Sequence, residues 1–374
     1  MNNLYESVAI DNSLHCFKFN CEAYPEEVVG VYVCKNPKCK EQTMAKKSTK
    51  SKTSEGLLAA LHFISIAQLK TETDSPWKNH CILHNGMAMA YDGILTAGCK
   101  IEETLEIAPH TYKLIAALER TTKDVSITEL EGRLSIKSGA FSCFVPCWHE
   151  GMPALEPDPA SWPISDSLKI GFEMISGFTV DNDKKKIVET SLLLQANSMI
   201  ATDSAVMLEF WHGIDLPTMT IPKTFVSAIM NTKKSLKAFG YSGNSCTFWF
   251  EDDSWIKTQL YEESWPDVSL ILNKDCKPEP LPEGFYEALK NIEPFSEGKD
   301  TEKCVYFVDG ALQSHRDKIE GAVCEVPGIK HGPAFNIKRL KRIEHCIQTV
   351  DFYSHNVMYF YGAGVRGALA GVSK

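Results

Sequence analysis

Residues 191–210 read SLLLQANSMIATDSAVMLEF, which is a series of short apolar runs separated by polar, turn-forming residues. Short apolar runs bounded by such residues are typical of paired β-strands. The segments on either side, LKIGFEMISGFTV (168–180) and PKTFVSAIMNTKKSLK (222–237), have apolar residues at helical spacing. More strand-like sequence follows at 245–272. The stretch therefore predicts a unit made of a helix, a strand pair, a second helix and further strands.

This order of elements occurs three times along the chain. The first helices begin near residues 57, 168 and 285, and the second helices begin near residues 111, 222 and 335. Proline-rich stretches separate the units. The repeats predict an α+β protein of three repeated domains, in each of which two helices pack on antiparallel sheets. The predicted limits are an N-terminal extension with a cysteine cluster and a basic linker at 1–55, and domains at 56–155, 164–276 and 280–374.

The composition is that of an ordinary globular chain. Of 374 residues, 44% are hydrophobic and 23% are charged, which excludes a mostly disordered or fibrous protein. Neither a membrane-spanning stretch nor a secretory signal is visible, and thirteen cysteines then indicate a reducing compartment. We therefore expect a cytoplasmic protein. The net charge of −9 argues against a nucleic-acid partner unless basic residues gather on one surface.

Short motifs in the second and third units carry a more specific signal. In the second unit they are Ile200-Ala-Thr-Asp203, Ile221-Pro222 and the segment 261–267, in which Trp265 precedes Pro266. In the third unit they are Gly321-Ala322, Ala334-Phe335-Asn336 and Val365-Arg366-Gly367. In this order on three repeats, residues 56–374 resemble the bacterial-type DNA polymerase III β subunit, the sliding clamp.

The resemblance implies a head-to-tail homodimer that closes a ring around double-stranded DNA without sequence specificity. Heterologous contacts form such rings when the rotation closes. It also implies a protein that is not an enzyme and requires no cofactor, with the replicative DNA polymerase and a clamp loader as partners. The resemblance places the protein in the bacterial cytoplasm, or in the host cytoplasm if a phage encodes it.

Basic residues are grouped on and near the second helices. In FNIKRLKRIEHCI (335–347) the apolar residues form one stripe and most of the cations another. Lysine and arginine contacts to phosphate give salt-sensitive binding without sequence preference. The alternative interpretation is that these are ordinary solvated helix faces. The predicted DNA-binding residues are Lys113, Arg120, Lys123, Lys184, Lys185, Lys223, Lys233, Lys234, Lys237, Lys338, Arg339, Lys341 and Arg342.

The resemblance also implies a hydrophobic groove between the second and third domains that binds an extended partner peptide. The matching positions are Thr202, Ser204, Val206, Met207, Pro266, Leu270, Ile271, Leu369 and Val372. This chain has Ser204-Ala205-Val206-Met207 where the family usually has Gly-His-Arg-Leu, so we expect an altered peptide specificity. The alternative interpretation is that these are core strand residues.

Four cysteines near the N-terminus form two pairs, Cys16 with Cys21 and Cys34 with Cys39. Two such pairs are able to hold one structural zinc ion through four thiolates, although the common spacing has two residues between the cysteines. Unpaired thiols are the alternative. A second functional hypothesis follows from the same cluster, namely a zinc-containing enzyme or a redox protein.

Three other patterns are interpreted as structural. Gly362–Gly367 matches the glycine fingerprint of a dinucleotide site, but too few residues follow it for the required helix. His80 and His84 lie in a strand-like run without an obvious third metal ligand. Residues 251–253, Glu-Asp-Asp, are predicted to form a hairpin turn.

Overall fold

A computed structural model describes most of the chain from residue 55 onward. The described ranges are 55–71, 75–122, 124–149, 153–180, 185–263, 265–299, 303–316 and 321–372. Of residues 1–54 it describes only the backbone of four short strands, β1 (Leu14–Cys16), β2 (Cys21–Pro25), β3 (Tyr32–Val33) and β4 (Ser48–Ser51). Strands β1, β2 and β3 form a small antiparallel sheet.

The first unit runs from helix α1 to strand β11. Its elements are α1 (Glu55–Ile64), β5 (Ile82–His84), β6 (Met87–Tyr91), β7 (Leu95–Lys100), β8 (Ala108–Pro109), α2 (Thr111–Leu118), β9 (Val125–Leu130), β10 (Arg133–Ser138) and β11 (Phe141–Trp148). Leu57, Leu61 and Ile64 bury one face of α1, as their helical spacing predicts. The His110 ring caps α2 by accepting a hydrogen bond from the Lys113 N–H.

The second unit repeats this order with two additional one-turn helices. Its elements are β12 (Trp162–Pro163), α3 (Ser167–Ser176), α4 (Ile187–Thr190), β13 (Ser191–Leu194), β14 (Ser198–Thr202), β15 (Val206–Trp211), β16 (Met219–Pro222), α5 (Lys223–Asn231), β17 (Leu236–Tyr241), β18 (Ser245–Phe250), β19 (Trp255–Gln259) and α6 (Ser269–Leu272). Phe172 of α3 and Phe225 of α5 both pack against Phe248 in the core.

The third unit has the same plan. Its elements are β20 (Glu279–Pro280), α7 (Phe285–Ile292), β21 (Cys304–Val308), β22 (Ala311–Gln313), β23 (Val323–Glu325), β24 (Phe335–Asn336), α8 (Ile337–Arg342), β25 (Thr349–His355), β26 (Val357–Gly362) and β27 (Val365–Ala370). The Asn336 carboxamide caps α8 by accepting from the Arg339 N–H at 3.0 Å. Phe285, Phe307, Phe335 and Phe352 pack together in the core of this unit.

Neighbouring units are joined through shared sheets. Strand β7 of the first unit pairs antiparallel with β19 of the second, which makes a seven-stranded sheet. Strand β15 of the second unit pairs antiparallel with β27 of the third, which makes an eight-stranded sheet. At each junction, the third of the strands that follow a unit's first helix (β7 or β15) therefore pairs with the last strand of the next unit (β19 or β27).

The connections between units are fixed by buried carboxylates. Asp158, in the first connection, is 3% exposed and accepts hydrogen bonds from Ser245, Thr247 and Lys257 of the second unit. Asp351, also 3% exposed, accepts from the backbone N–H of Lys277 in the second connection at 2.7 Å. These contacts hold the connections against the unit that follows.

Three expected elements differ from the sequence prediction. The strand pair expected over 191–210 is a set of three strands, β13, β14 and β15, because turns follow both Leu194 and Thr202. The helix expected over 222–237 ends at Asn231, because Thr232 is extended and Leu236 already begins β17. The strand expected after Asp267 is the one-turn helix α6, because the Asp267 carboxylate accepts from the Ser269 N–H and starts a turn. No helix in the described part of the chain is long and apolar enough to cross a membrane.

Candidate peptide groove and basic surfaces

A cavity of about 630 Å³ lies where the second and third units meet. The turn between β14 and β15 forms one wall, and Glu263, Trp265 and Pro266 with α6 form another. Its floor includes Met207 and Ala368, which belong to a small apolar cluster on the eight-stranded sheet. The lining residues are Lys186, Val188, Glu189, Thr202, Ser204, Ala205, Val206, Met207, Glu263, Trp265, Pro266, Ile271, Val357, Ala368 and Ala370.

Six of the nine predicted groove residues line this cavity, namely Thr202, Ser204, Val206, Met207, Pro266 and Ile271. The other three do not. Leu369 is fully buried in the main core, and the Leu270 side chain is 66% exposed on the outer side of α6. Val372 is exposed and its backbone pairs with Ala334.

The sequence prediction missed several lining residues. Val188 and Glu189 lie on α4, and Val357 begins β26 of the third unit. In the sequence, Trp265 stands out only as the aromatic residue before a proline. Its indole N–H is buried and has no hydrogen-bond partner among the described residues. The Tyr261–Asp267 motif was the sequence signal for the wall that contains Trp265. Val188, Glu189 and Val357 had no such signal, because they are far apart in the sequence and become neighbours only in the folded chain.

The β14–β15 turn is held rigidly by hydrogen bonds. The Asp203 carboxylate accepts from the Ala205 and Val206 N–H groups at 3.0 and 2.8 Å, and it accepts from Arg342 at 2.6 Å. Although burial opposes it, these bonds hold the pKa of Asp203 below its usual range. Ser204 has a φ of 70° and donates to the buried Glu189 carboxylate. The wall is therefore preorganised before any ligand arrives.

The groove has the chemistry of a binding site for an apolar peptide. Its floor and one wall are aliphatic and aromatic. Of its charged lining residues, Lys186 and Glu263 are exposed at the rim, whereas the Glu189 carboxylate is buried and accepts from Ser204. Such a surface buries the apolar side chains of a peptide ligand. The charged residues at the rim then favour oppositely charged ligand residues next to the apolar ones.

The structure separates the predicted cations into two groups. Lys113, Lys233 and Lys338 are exposed, one in each unit, and have no ion-pair partner among the described residues. Arg120, just after α2, is exposed and donates to the Ala116 carbonyl of that helix, and Arg339 is half-buried on α8. Lys233 lies in the loop after α5 and not on the helix. These five keep their charge available to a ligand.

The second group is committed to contacts within the protein. Lys234 pairs with Asp252 at 2.6 Å, Lys237 with Asp253 at 2.7 Å, and Lys341 with Glu293 at 2.8 Å. Lys185 pairs with Glu189, and Lys223 donates to the Thr179 carbonyl. Arg342 pairs with Asp203 and stacks over Phe178, so its guanidinium lies in the junction between the second and third units. Lys123 and Lys184 lie outside the described residues.

The remaining sequence predictions concern the N-terminal cysteines, His80 with His84, and residues 251–253. Cys34 and Cys39 lie outside the described residues, and only the backbone is described for Cys16 and Cys21, so the zinc site stays a prediction. In the described ranges, no group of three or more His, Cys, Asp or Glu side chains could hold a metal. The His80 ring bonds the Pro76 carbonyl, and residues 251–253 form the β18–β19 turn, as predicted.

Comparison with solved structures finds the same fold in bacterial sliding clamps. The DNA polymerase sliding clamp of Pseudomonas aeruginosa, solved with a ligand, has a TM-score of 0.70 and 15% identity over 88% of this chain and 100% of that chain. Caulobacter crescentus pol III β has a TM-score of 0.71 and 15% identity over 88% and 100%. The Streptococcus pneumoniae DNA polymerase III β chain has a TM-score of 0.69 and 14% identity over 86% and 98%.

No family profile and no curated protein matches the sequence. The structural comparison therefore carries the conclusion: this chain has the fold of the bacterial DNA polymerase III β sliding clamps. The predicted α+β class with repeated clamp domains is confirmed. The rival interpretation as a zinc enzyme or redox protein gains no support from the fold or from the described side chains.

Proposed function

We propose that this chain is a DNA polymerase processivity factor, a homodimeric ring that encircles double-stranded DNA and tethers the replicative polymerase. In this proposal the protein has no catalytic activity, needs no cofactor and works in the cytoplasm. Residues 56–155, 164–276 and 280–374 are its three clamp domains. The observation that carries the proposal concerns strands β11 and β23. Within one chain, both lack the antiparallel partner that the equivalent strands of the other units have.

Among the edge strands of the described sheets, β11 and β23 lack the neighbours that the equivalent strands have at the two junctions within the chain. On its far side from β10, β11 meets β8 and His110, which cover residues 146–148 and leave 141–145 without a strand partner among the described residues. Strand β23 pairs only with β22. These two strands occupy the positions of β19 and β7 at the first junction and of β27 and β15 at the second. A second copy of the chain supplies the missing partner for each edge.

The register of the third junction follows from the other two. The hydrogen bonds Asp92 N to Leu95 O, Asp203 N to Val206 O and Ser314 N to Ala322 O close equivalent hairpins. The residue after each acceptor is therefore equivalent, namely Thr96, Met207 and Val323. Thr96 pairs with Lys257, and Met207 pairs with Ala368. The residues that close the hairpins before β11, β19 and β27 are Phe141, Ser254 and Val365. Lys257 and Ala368 each lie three residues after Ser254 and Val365. The equivalent residue of β11 is Phe144, so in the proposed ring Val323 pairs with Phe144 of the partner subunit.

This register matches two exposed apolar side chains. Phe144 is 58% exposed and Val323 is 55% exposed, and both lie on the open edges. Exposed apolar residues on unpaired strands favour association, because pairing satisfies the backbone and removes apolar area from water. Each subunit has one of each edge, so two identical junctions close a two-subunit ring.

The basic surface and the groove supply the two further contacts of a clamp. Lys113, Lys233 and Lys338 place one available cation in each unit, which suits non-specific phosphate contacts. The groove suits an apolar segment of the polymerase or of the clamp loader. Because its turn carries Ser204 to Met207, its peptide preference differs from that implied by the family motif.

The test is topological retention on DNA. The protein is incubated with closed circular plasmid and separated by gel filtration, and half of the sample is cut once with a restriction enzyme. We expect co-elution with circular DNA and release after cutting. Phe144→Asp, which places a charge in the proposed interface, abolishes retention while the circular dichroism spectrum is unchanged.

Ile94→Asp is the matched control, because Ile94 is a similarly exposed apolar residue away from both edges. We expect it to behave as wild type. Equal retention on circular and cut DNA would mean simple electrostatic binding. A protein that stays monomeric at tens of micromolar and is not retained on either DNA would overturn the proposal.

A further inference from the structure

The proposed ring junction brings two cysteines of different subunits opposite each other. This step rests on the proposed function, because it uses the register that pairs Val323 with Phe144. Moving one residue along each strand pairs Cys324 with Cys143 of the partner subunit. The equivalent pairs inside the chain are Ala97 with Ile256 and Leu208 with Gly367.

The alternation of hydrogen-bonded and non-hydrogen-bonded pairs along the two strands indicates that the Cα atoms of this cysteine pair lie close together. At the second junction, Trp211 N donates to Gly364 O and Ala370 N donates to Ala205 O. Hydrogen-bonded pairs alternate along an antiparallel ladder, so the Leu208–Gly367 pair is a non-hydrogen-bonded one. Such pairs have Cα atoms about 4.5 Å apart, and disulfides need about 4.4–6.8 Å. The cysteine pair inherits this geometry.

The two thiols also lie on matching faces. Cys143 and Cys324 are half-buried and both pack against the core side of their sheets, whereas Phe144 and Val323 point outward. Neither cysteine is bonded to another within the protomer. Burial raises the pKa of the Cys143 thiol, which keeps it protonated and slows its oxidation. The pair is therefore expected to stay reduced until an oxidant is present.

We propose that Cys143 of one subunit and Cys324 of the next form an inter-subunit redox site, where a small-molecule disulfide covalently closes the ring. One cysteine thiolate attacks the oxidant R–S–S–R and expels one RS⁻, which leaves a mixed disulfide. The second thiolate attacks the protein sulfur of that mixed disulfide and expels the other RS⁻. The two thiol protons end on the two leaving groups, so each junction consumes one R–S–S–R and releases two RSH.

A ring has two such junctions, so complete oxidation forms two disulfides. A ring closed in this way stays linked to circular DNA even in denaturant, because release would require cutting the DNA or reducing the protein. The proposed site is thus a lock on a sliding clamp and not a catalytic centre.

The experiment treats the full chain with oxidised glutathione and analyses it by non-reducing gel electrophoresis and by mass spectrometry of tryptic peptides. We expect a dimer band that dithiothreitol removes, and a peptide that contains Cys143 linked to one that contains Cys324. Cys143→Ser and Cys324→Ser each reduce the dimer band to less than a tenth of wild type. Cys304→Ser, which changes a half-buried cysteine of β21, two strands away from β23 in the same sheet, leaves it unchanged.

Light scattering under reducing conditions separates the two proposals. A monomer would overturn the proposed ring and the redox site with it. A dimer that forms no Cys143–Cys324 linkage, or that links through other cysteines, would overturn only the redox site. All three variants are first compared with wild type by thermal unfolding. A variant that is misfolded is replaced by the corresponding Cys→Ala change.

Discussion

Lys338 and Arg342 show how position within one helix separates two roles. They lie one turn apart on α8, and both were predicted to bind DNA. Lys338 is exposed, whereas Arg342 bonds Asp203 at 2.6 Å and stacks over Phe178. The first is available to phosphate, and the second holds the β14–β15 turn that forms a wall of the groove.

This difference predicts two distinct phenotypes. Lys338→Ala lowers the slope of log K against log salt for DNA binding by about 0.9, as loss of one phosphate contact does, and leaves peptide binding intact. Arg342→Ala weakens peptide binding and lowers the free energy of unfolding by about 1–3 kcal/mol, because Asp203 loses a charged partner. Salt titrations of DNA binding and calorimetry with a library-selected peptide check both. Equal loss of DNA affinity in the two variants would contradict this assignment.

The contact between Asp351 and the connection that joins the second and third units is expected to weaken at low pH. Burial opposes its ionisation, but hydrogen bonds from Ser354, Lys277 and Tyr353 lower its pKa to about 2, below the usual value of 3.8. Its stabilisation is therefore fully present above pH 3.8 and is lost as the pH falls toward 2. Asp351→Asn removes this dependence.

Urea unfolding midpoints between pH 5 and pH 2 measure the effect. We expect the difference between wild type and Asp351→Asn to shrink as the pH falls through this window. Asp215→Asn, which changes an exposed carboxylate after β15, is the control and follows wild type. A difference that is constant with pH would contradict the role given to Asp351.

At the level of single residues, the sequence indicated which side chains are charged but not which charges are available. Asp203 and Arg342 are 139 positions apart, and Lys234 reaches over Phe63 of another unit. Such pairs depend on how the units meet. A helix pattern alone cannot show that six of the thirteen predicted DNA-binding cations also form ion pairs, or hydrogen bonds outside their own helix, within the protein.

Among the elements, the junction strands tolerate little change. The backbone of Gly98 on β7 lies directly beside the buried indole of Trp255 on β19, and a Cβ there would overlap it. Gly98→Val is expected to lower the free energy of unfolding by about 1–3 kcal/mol through overpacking. Chemical denaturation of the full chain measures the change.

Gly177→Ala is the matched control for that substitution. Gly177 has a right-handed helical conformation at the end of α3, and an added Cβ meets nothing within 4 Å. We expect this variant to be within about 0.5 kcal/mol of wild type. If both variants were equally destabilised, the close packing of β7 on β19 would not be the cause.

The sequence predicted elements well where apolar spacing was strong and poorly where polar side chains decide the backbone. Phe225 and Ile229 marked α5 correctly, but nothing in the lysine-rich end showed that the chain becomes extended at Thr232. The apolar run at 268–272 resembled a strand, and the Asp267 carboxylate turned it into α6. Local hydrogen bonds of this kind override apolar periodicity.

For the whole molecule, the α+β fold of three repeated domains was predictable because the same order of helices and strands occurs three times in the sequence. The sequence did not show that neighbouring units share sheets. Two junctions are completed inside the chain by β7 with β19 and by β15 with β27. In the proposed ring, a second copy of the chain completes the open edges of β11 and β23. The groove was only partly predictable, since Val188 and Val357 come from different units and meet only in the folded chain.

Closure of a ring by two copies of the chain is the claim on which the proposed function depends. Negative-stain imaging of the purified protein at micromolar concentration tests it most directly. We expect rings of two three-domain subunits with a central hole wide enough for duplex DNA. Compact particles without a hole, at concentrations where light scattering shows dimers, would contradict it.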